Sequence, residues 1–136
     1  MQDYRKLGVW QKGHELALLT YKLTADFPRE EMFGLRNSLR RSAVDLPAFI
    51  AEGCGKSDDG ELRRAIGGAI SLSNRLEYYA LLAQDLEMLK LADHDLLVEK
   101  TVEVRKMLSG FAKRLSNESL PKTDSPDLVR TVVGDQ

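Results

Sequence analysis

At 136 residues, with 20 Lys and Arg against 21 Asp and Glu, the chain has room for one hydrophobic core and carries a net charge of −1, so summed charge offers polyanions no attraction and any nucleic-acid surface must come from uneven placement of the bases. The single cysteine, Cys54, excludes an intrachain disulfide and a thiolate metal cluster. The polar first ten residues lack the apolar stretch of a secretory signal and no segment is apolar for a membrane-spanning length, which predicts a cytoplasmic protein with no membrane partner.

Leu16, Leu19 and Leu23 recur at helical spacing after Trp10, and Phe27-Pro28 stops the run, predicting a first helix over residues 9–25. Phe33, Leu35, Leu39, Ala43, Leu46 and Ile50 carry a second over 31–53. Pro47 should bend that helix between Val44 and Ile50, and Gly53 and Gly55 supply the backbone freedom of a helix end. Asp58 with Glu61 resembles a capping box, with Ser57 as a competing cap, and opens a third helix that keeps one stripe from Leu62 to Leu86 and runs to about 89. Gly67-Gly68 inside it predicts that another helix backbone passes close by, beside Ala65 and Ala69; a local kink is the alternative. Asp93 or Asp95 opens a fourth helix through Leu97, Thr101, Val104, Leu108, Phe111 and Leu115, and Pro121 and Pro126 mark the end of regular structure. With no strand pattern and short connections, the chain reads as all-α, an antiparallel up-down four-helix bundle over residues 1–116 with an extended C-terminal tail over 117–136.

No catalytic constellation emerges. A di-iron bundle needs Glu-x-x-His pairs, and the sequence has none; His14 and Glu15 are adjacent and diverge around a helix, while His94 falls in a turn. Metal ligands, cofactors and a small-molecule substrate are therefore not expected, and the protein is not expected to be an enzyme. Cys54 sits at a C-terminal helix end, whose dipole disfavours a thiolate, and reads as a small residue filling a tight turn. Glu52, Gly53 and Gly55 read together as a structural turn, Glu52 either facing water or receiving an Arg partner such as Arg40 or Arg41. The basic residues cluster as Arg36, Arg40 and Arg41, with Arg63 and Arg64 as a second pair. They suit either nonspecific phosphate contacts or pairing with the surrounding acids. Phe49, Tyr78 and Tyr79 lie beside the main stripes and are candidate subunit-interface residues, because a helix covered on more than one side needs a neighbour outside its own bundle.

Several runs together resemble a known family. Leu7 with Val9-Trp10, Tyr21, Phe27-Pro28, Glu31 with Phe33-Gly34-Leu35, Leu39-Arg40-Arg41-Ser42-Ala43, and Ile50-Ala51-Glu52-Gly53 with Gly55 occur in the order seen in four-helix proteins encoded by intervening sequences of bacterial 23S ribosomal RNA genes. Two positions depart from that family's pattern: Phe49 replaces its usual Asn and Lys56 its usual Arg. The resemblance implies a ring-like homopentamer without an established biochemical activity, hence a noncatalytic homo-oligomeric helical scaffold. A related group, the accessory proteins of reverse transcriptases in diversity-generating retroelements, implies the alternative: an RNA- or DNA-binding accessory protein that repeats its basic patches around a homopentamer.

Overall fold

The structure, a computed structural model, describes residues 3–119. A short 3-10 turn, Tyr4–Lys6, leads into α1 (Gly8–Leu23); a second, Arg29–Glu31, precedes α2 (Leu35–Cys54); α3 (Asp59–Asp85) and α4 (Leu91–Ser119) follow, with no strand among the described residues. Packing joins α1 to α2 and α4, and α3 to α2 and α4, while the diagonal pairs stay apart. The four helices therefore stand at the corners of a square and alternate in direction, the antiparallel bundle that short connections enforce. Its axis is filled by Leu39, Leu46, Ile50, Ile66, Leu76, Leu97 and Leu108, all fully buried. Hydroxyls within this core are satisfied locally: Thr20, Thr24 and Thr101 each donate to the carbonyl four residues back at 2.7–2.8 Å.

The second helix begins four residues later than its apolar stripe suggests. The Glu31 carboxylate accepts the Leu35 N–H at 2.8 Å, satisfying an otherwise orphaned donor of the first turn. Gly34 makes this possible, since a Cβ there would lie 2.7 Å from the same carboxylate oxygen. Phe33 consequently falls outside the helix and is 88% exposed, not a member of the core stripe. Farther along, α2 continues through Pro47, which is buried against α1 where Gly13 leaves room for Leu46 and Pro47.

The glycines have different causes from those expected. Gly53 is helical and Gly55, the C-cap, has φ −78°, so neither supplies a left-handed turn. Gly53 is required by packing: a Cβ there would stand 2.7 Å from the Ala65 Cβ. The close backbone approach to α3 is thus at Gly53 and Ala65. Gly68 instead accommodates the edge of the Phe49 ring, 2.8 Å from where its Cβ would be, and nothing crowds Gly67.

At the head of α3 the Asp58 carboxylate accepts the Gly60 N–H at 2.8 Å, but Glu61 turns toward Arg64 (3.5 Å) in place of closing a capping box. The same helix stops at Asp85, short of 89, because Glu87 adopts a left-handed φ of 64° and lets the Met88 N–H reach back to the Ala83 carbonyl at 2.9 Å. Neither Asp93 nor Asp95 caps α4. That helix starts at Leu91, with the Lys90 carbonyl accepting from His94 N–H at 2.8 Å, so Asp93 sits in the first turn, where its charge complements the helix dipole. The last helix reaches Ser119, three residues past the expected domain boundary; the remainder of the 117–136 tail lies outside the described residues.

Candidate functional site

The first turns of α2 place Arg36 and Arg40 one helical turn apart, with Arg41 beside them, opposite Tyr21 in the last turn of α1. Between them lies an open cleft of about 490 Å³, walled by Met32 and Val44 and rimmed by Asp45. Arg40 is bound into the fold. Its Nε donates to Thr24 Oγ1 at 2.8 Å and an Nη to the Tyr21 carbonyl at 3.2 Å, and its guanidinium stacks 4.3 Å above the Tyr21 ring. In this way α2 satisfies a carbonyl that the end of α1 leaves without a helical partner. Burial, and then the neighbouring charge of Arg36, lower the Arg40 pKa from its ordinary value. The Arg36 Nε is buried with no hydrogen-bond partner, and among the described residues no carboxylate comes within ion-pair distance of Arg36, Arg40 or Arg41.

Arg63 and Arg64 do not join this cluster. They lie in the first two turns of α3, at the opposite end of the bundle, where Arg64 pairs with Glu61 and Arg63 is half-buried. The distance along α2 from Arg40 to its end at Cys54 is about 20 Å at 1.5 Å per residue. The five arginines therefore form two separate sites. Glu52 faces water without an Arg partner, one of the two alternatives left open by the sequence. Cys54 is buried, and that burial pushes its thiol pKa up, away from nucleophilic use.

A second groove, about 380 Å³, continues from the cleft along the α1/α2 edge through the shared Tyr21 and Val44. Trp10 organises its far end, meeting Tyr4 edge-on at 4.9 Å and stacking on His14 at 5.1 Å. Leu18, 59% exposed, projects into it. On the opposite side of the square, the α3/α4 edge carries a groove of about 460 Å³ bordered by Tyr78, Leu81, His94 and Val98. Arg105 closes one flank by binding Glu77 at 2.7 Å and Asn74 at 2.8 Å. Of the aromatic interface candidates, Tyr78 is 56% exposed, Phe49 is 37% exposed with one ring edge against Gly68, and Tyr79 is half-buried on its own core. Reading by stripe missed Leu18, Leu81 and Leu91, all exposed, and it placed Leu86 in the core stripe of α3, whereas Leu86 is the C-cap after the helix has ended and is 53% exposed.

Among the described residues, no three His, Cys, Asp or Glu side chains converge as metal ligands, and no helix is long and apolar enough to cross a membrane. Fold and surface together define an all-α bundle with an arginine cleft at one end and two apolar edges. The chain belongs to the 23S rRNA-intervening sequence protein family, whose profile matches residues 5–110. It is similar in fold to a crystal structure from Bacteroides thetaiotaomicron described as a protein with unknown function from the S23 ribosomal protein family, with a TM-score of 0.70 and 20% identity over 77% of this chain and 98% of that one. No curated protein matches the chain.

Proposed function

We propose that this chain is a noncatalytic, cytoplasmic homo-oligomeric scaffold, a homopentamer by the count its family resemblance implies, which presents copies of one surface in a fixed array. The observation that carries this reading is the apolar character of two opposite edges: Leu18, Tyr21 and Val44 on α1/α2, and Tyr78 and Leu81 on α3/α4, are all exposed. Clustered exposed apolar side chains on two opposite edges of one small bundle favour coverage by sister chains. Sedimentation velocity of the full chain at micromolar concentration tests it. A discrete multi-subunit species is expected, and Leu18→Ser or Leu81→Ser should reduce it; a wild-type monomer at all concentrations refutes the scaffold.

One observation favours a second reading. Three arginines without carboxylate partners could grip phosphates, making the particle an RNA- or DNA-binding accessory module. Salt-dependent retention of structured RNA, lost in Arg41→Ala, is the result this reading requires; no retention at low salt rejects it.

A further inference from the structure

We propose that the arginine cleft of one copy receives the acidic hairpin joining α3 to α4 of the next, so that copies join head to tail through two different faces into a closed ring whose axis runs along the helices. The inference rests on the scaffold reading and names its interface.

Topology supplies the first argument. The α1/α2 and α3/α4 edges are opposite sides of the square, so both cannot be covered by one two-fold contact; each copy needs two neighbours, and where the two edges meet each other as unlike surfaces the contacts generate a ring when the rotation closes. Register supplies the second. Because the helices alternate in direction, the end of α1, the start of α2, the end of α3 and the start of α4 all lie at the same end of the bundle. Rotation about an axis parallel to the helices preserves height, and therefore brings a neighbour's 85–91 hairpin level with Arg36, Arg40 and Arg41. A two-fold axis perpendicular to the helices would carry it to the wrong end.

Chemistry supplies the third. Within residues 85–95, Asp85, Glu87, Asp93 and Asp95 stand against the single Lys90, a net charge of −3 with His94 neutral. Leu86 and Leu91 are exposed in the same segment, and Met32, Tyr21 and Val44 offer apolar surface in the cleft. Arg36, whose Nε is buried and unpartnered within its own chain, lines the same cleft as its neighbour Arg40. A phosphate backbone fits less well, because the other arginine pair is at the far end of the bundle and cannot extend the track.

Charge reversal on the full chain tests the pairing. Among the described residues, Arg41, Asp85 and Glu87 have no side-chain hydrogen bond or ion pair, so R41E and the double variant D85R/E87R should keep wild-type helicity by circular dichroism. Each is expected to weaken assembly at least tenfold, read as a shift in the concentration of half-dissociation. Combining all three substitutions in one chain should restore it, since every interface then pairs opposite charges. Dissociation by each variant without restoration overturns the pairing while leaving the scaffold reading intact. So does an undisturbed assembly; if R41E then also releases a 30-nucleotide single-stranded RNA that wild type retains, the cleft is a nucleic-acid site. A monomeric wild type removes both readings.

Discussion

Replacing Arg40 with Met keeps a stem of comparable bulk but deletes three contacts between α2 and the end of α1. The half-buried bond to Thr24 at 2.8 Å has a charged donor and contributes about 1.5 kcal/mol, near the low end for that class. The exposed bond to the Tyr21 carbonyl at 3.2 Å adds about 0.5 kcal/mol, and the stacked charge above the Tyr21 ring about 0.5 kcal/mol. Relief of the repulsion by Arg36 returns a fraction of this, so the expected loss is about 2 kcal/mol. In urea, with a slope of about 1.5 kcal/mol/M, the midpoint should fall by about 1.3 M. Protomer concentration must be held constant, because assembly itself stabilises the folded chain. Arg41→Ala, which breaks no intramolecular contact, should shift stability by less than about 0.5 kcal/mol. If Arg40→Met is as stable as wild type, Arg40 does not tie these helices together and the placement of the cleft's walls must be reconsidered.

Other perturbations isolate single local causes. Gly34→Ala should cost about 1 kcal/mol by pushing the Glu31 carboxylate off the Leu35 N–H, and adding Glu31→Ala should cost little more, since both remove one cap; thermal melts of the two single variants and the double measure this. Gly53→Ala gains about 0.8 kcal/mol of helix propensity but forces a Cβ to 2.7 Å from that of Ala65, an overpacking cost of about 2 kcal/mol, so a net loss of about 1 kcal/mol is expected in urea, with Ala65→Gly relieving the clash in the double variant. Because burial raises the Cys54 pKa above its unfolded value, the neutral thiol's contribution is fully present below the unfolded pKa, about 8.5, and is lost as pH rises through the folded one. Unfolding free energies measured across pH 7 to 10 should therefore decline above about pH 8.5, and Cys54→Ala should flatten that decline.

The helices were legible because their core positions repeat at three- and four-residue intervals: Leu39, Leu46 and Ile50 in α2 and Ile66, Leu76 and Ala80 in α3 are the buried residues that periodicity selects. Their ends were less so. The start of α2 depends on a side chain four residues upstream reaching over a glycine, and the stop of α3 on a non-glycine residue, Glu87, in a left-handed conformation. Propensity alone does not distinguish a glycine kept for backbone freedom from one kept for packing, which is why Gly53 read as a turn and Gly67-Gly68 as the close approach. The grouping of Arg36, Arg40 and Arg41 followed from helical spacing. That Arg40 is committed to Thr24 and Tyr21, 16 and 19 residues away, and that Arg63 and Arg64 sit at the other end, are consequences of topology that no local pattern encodes.

Native mass spectrometry of the full chain bears most directly on whether sister copies cover the two apolar edges. A single discrete particle of five copies of the 15.3 kDa protomer, persisting at micromolar concentration and free of nucleic acid, is the predicted spectrum. A spectrum dominated by the single chain at tens of micromolar would contradict the account.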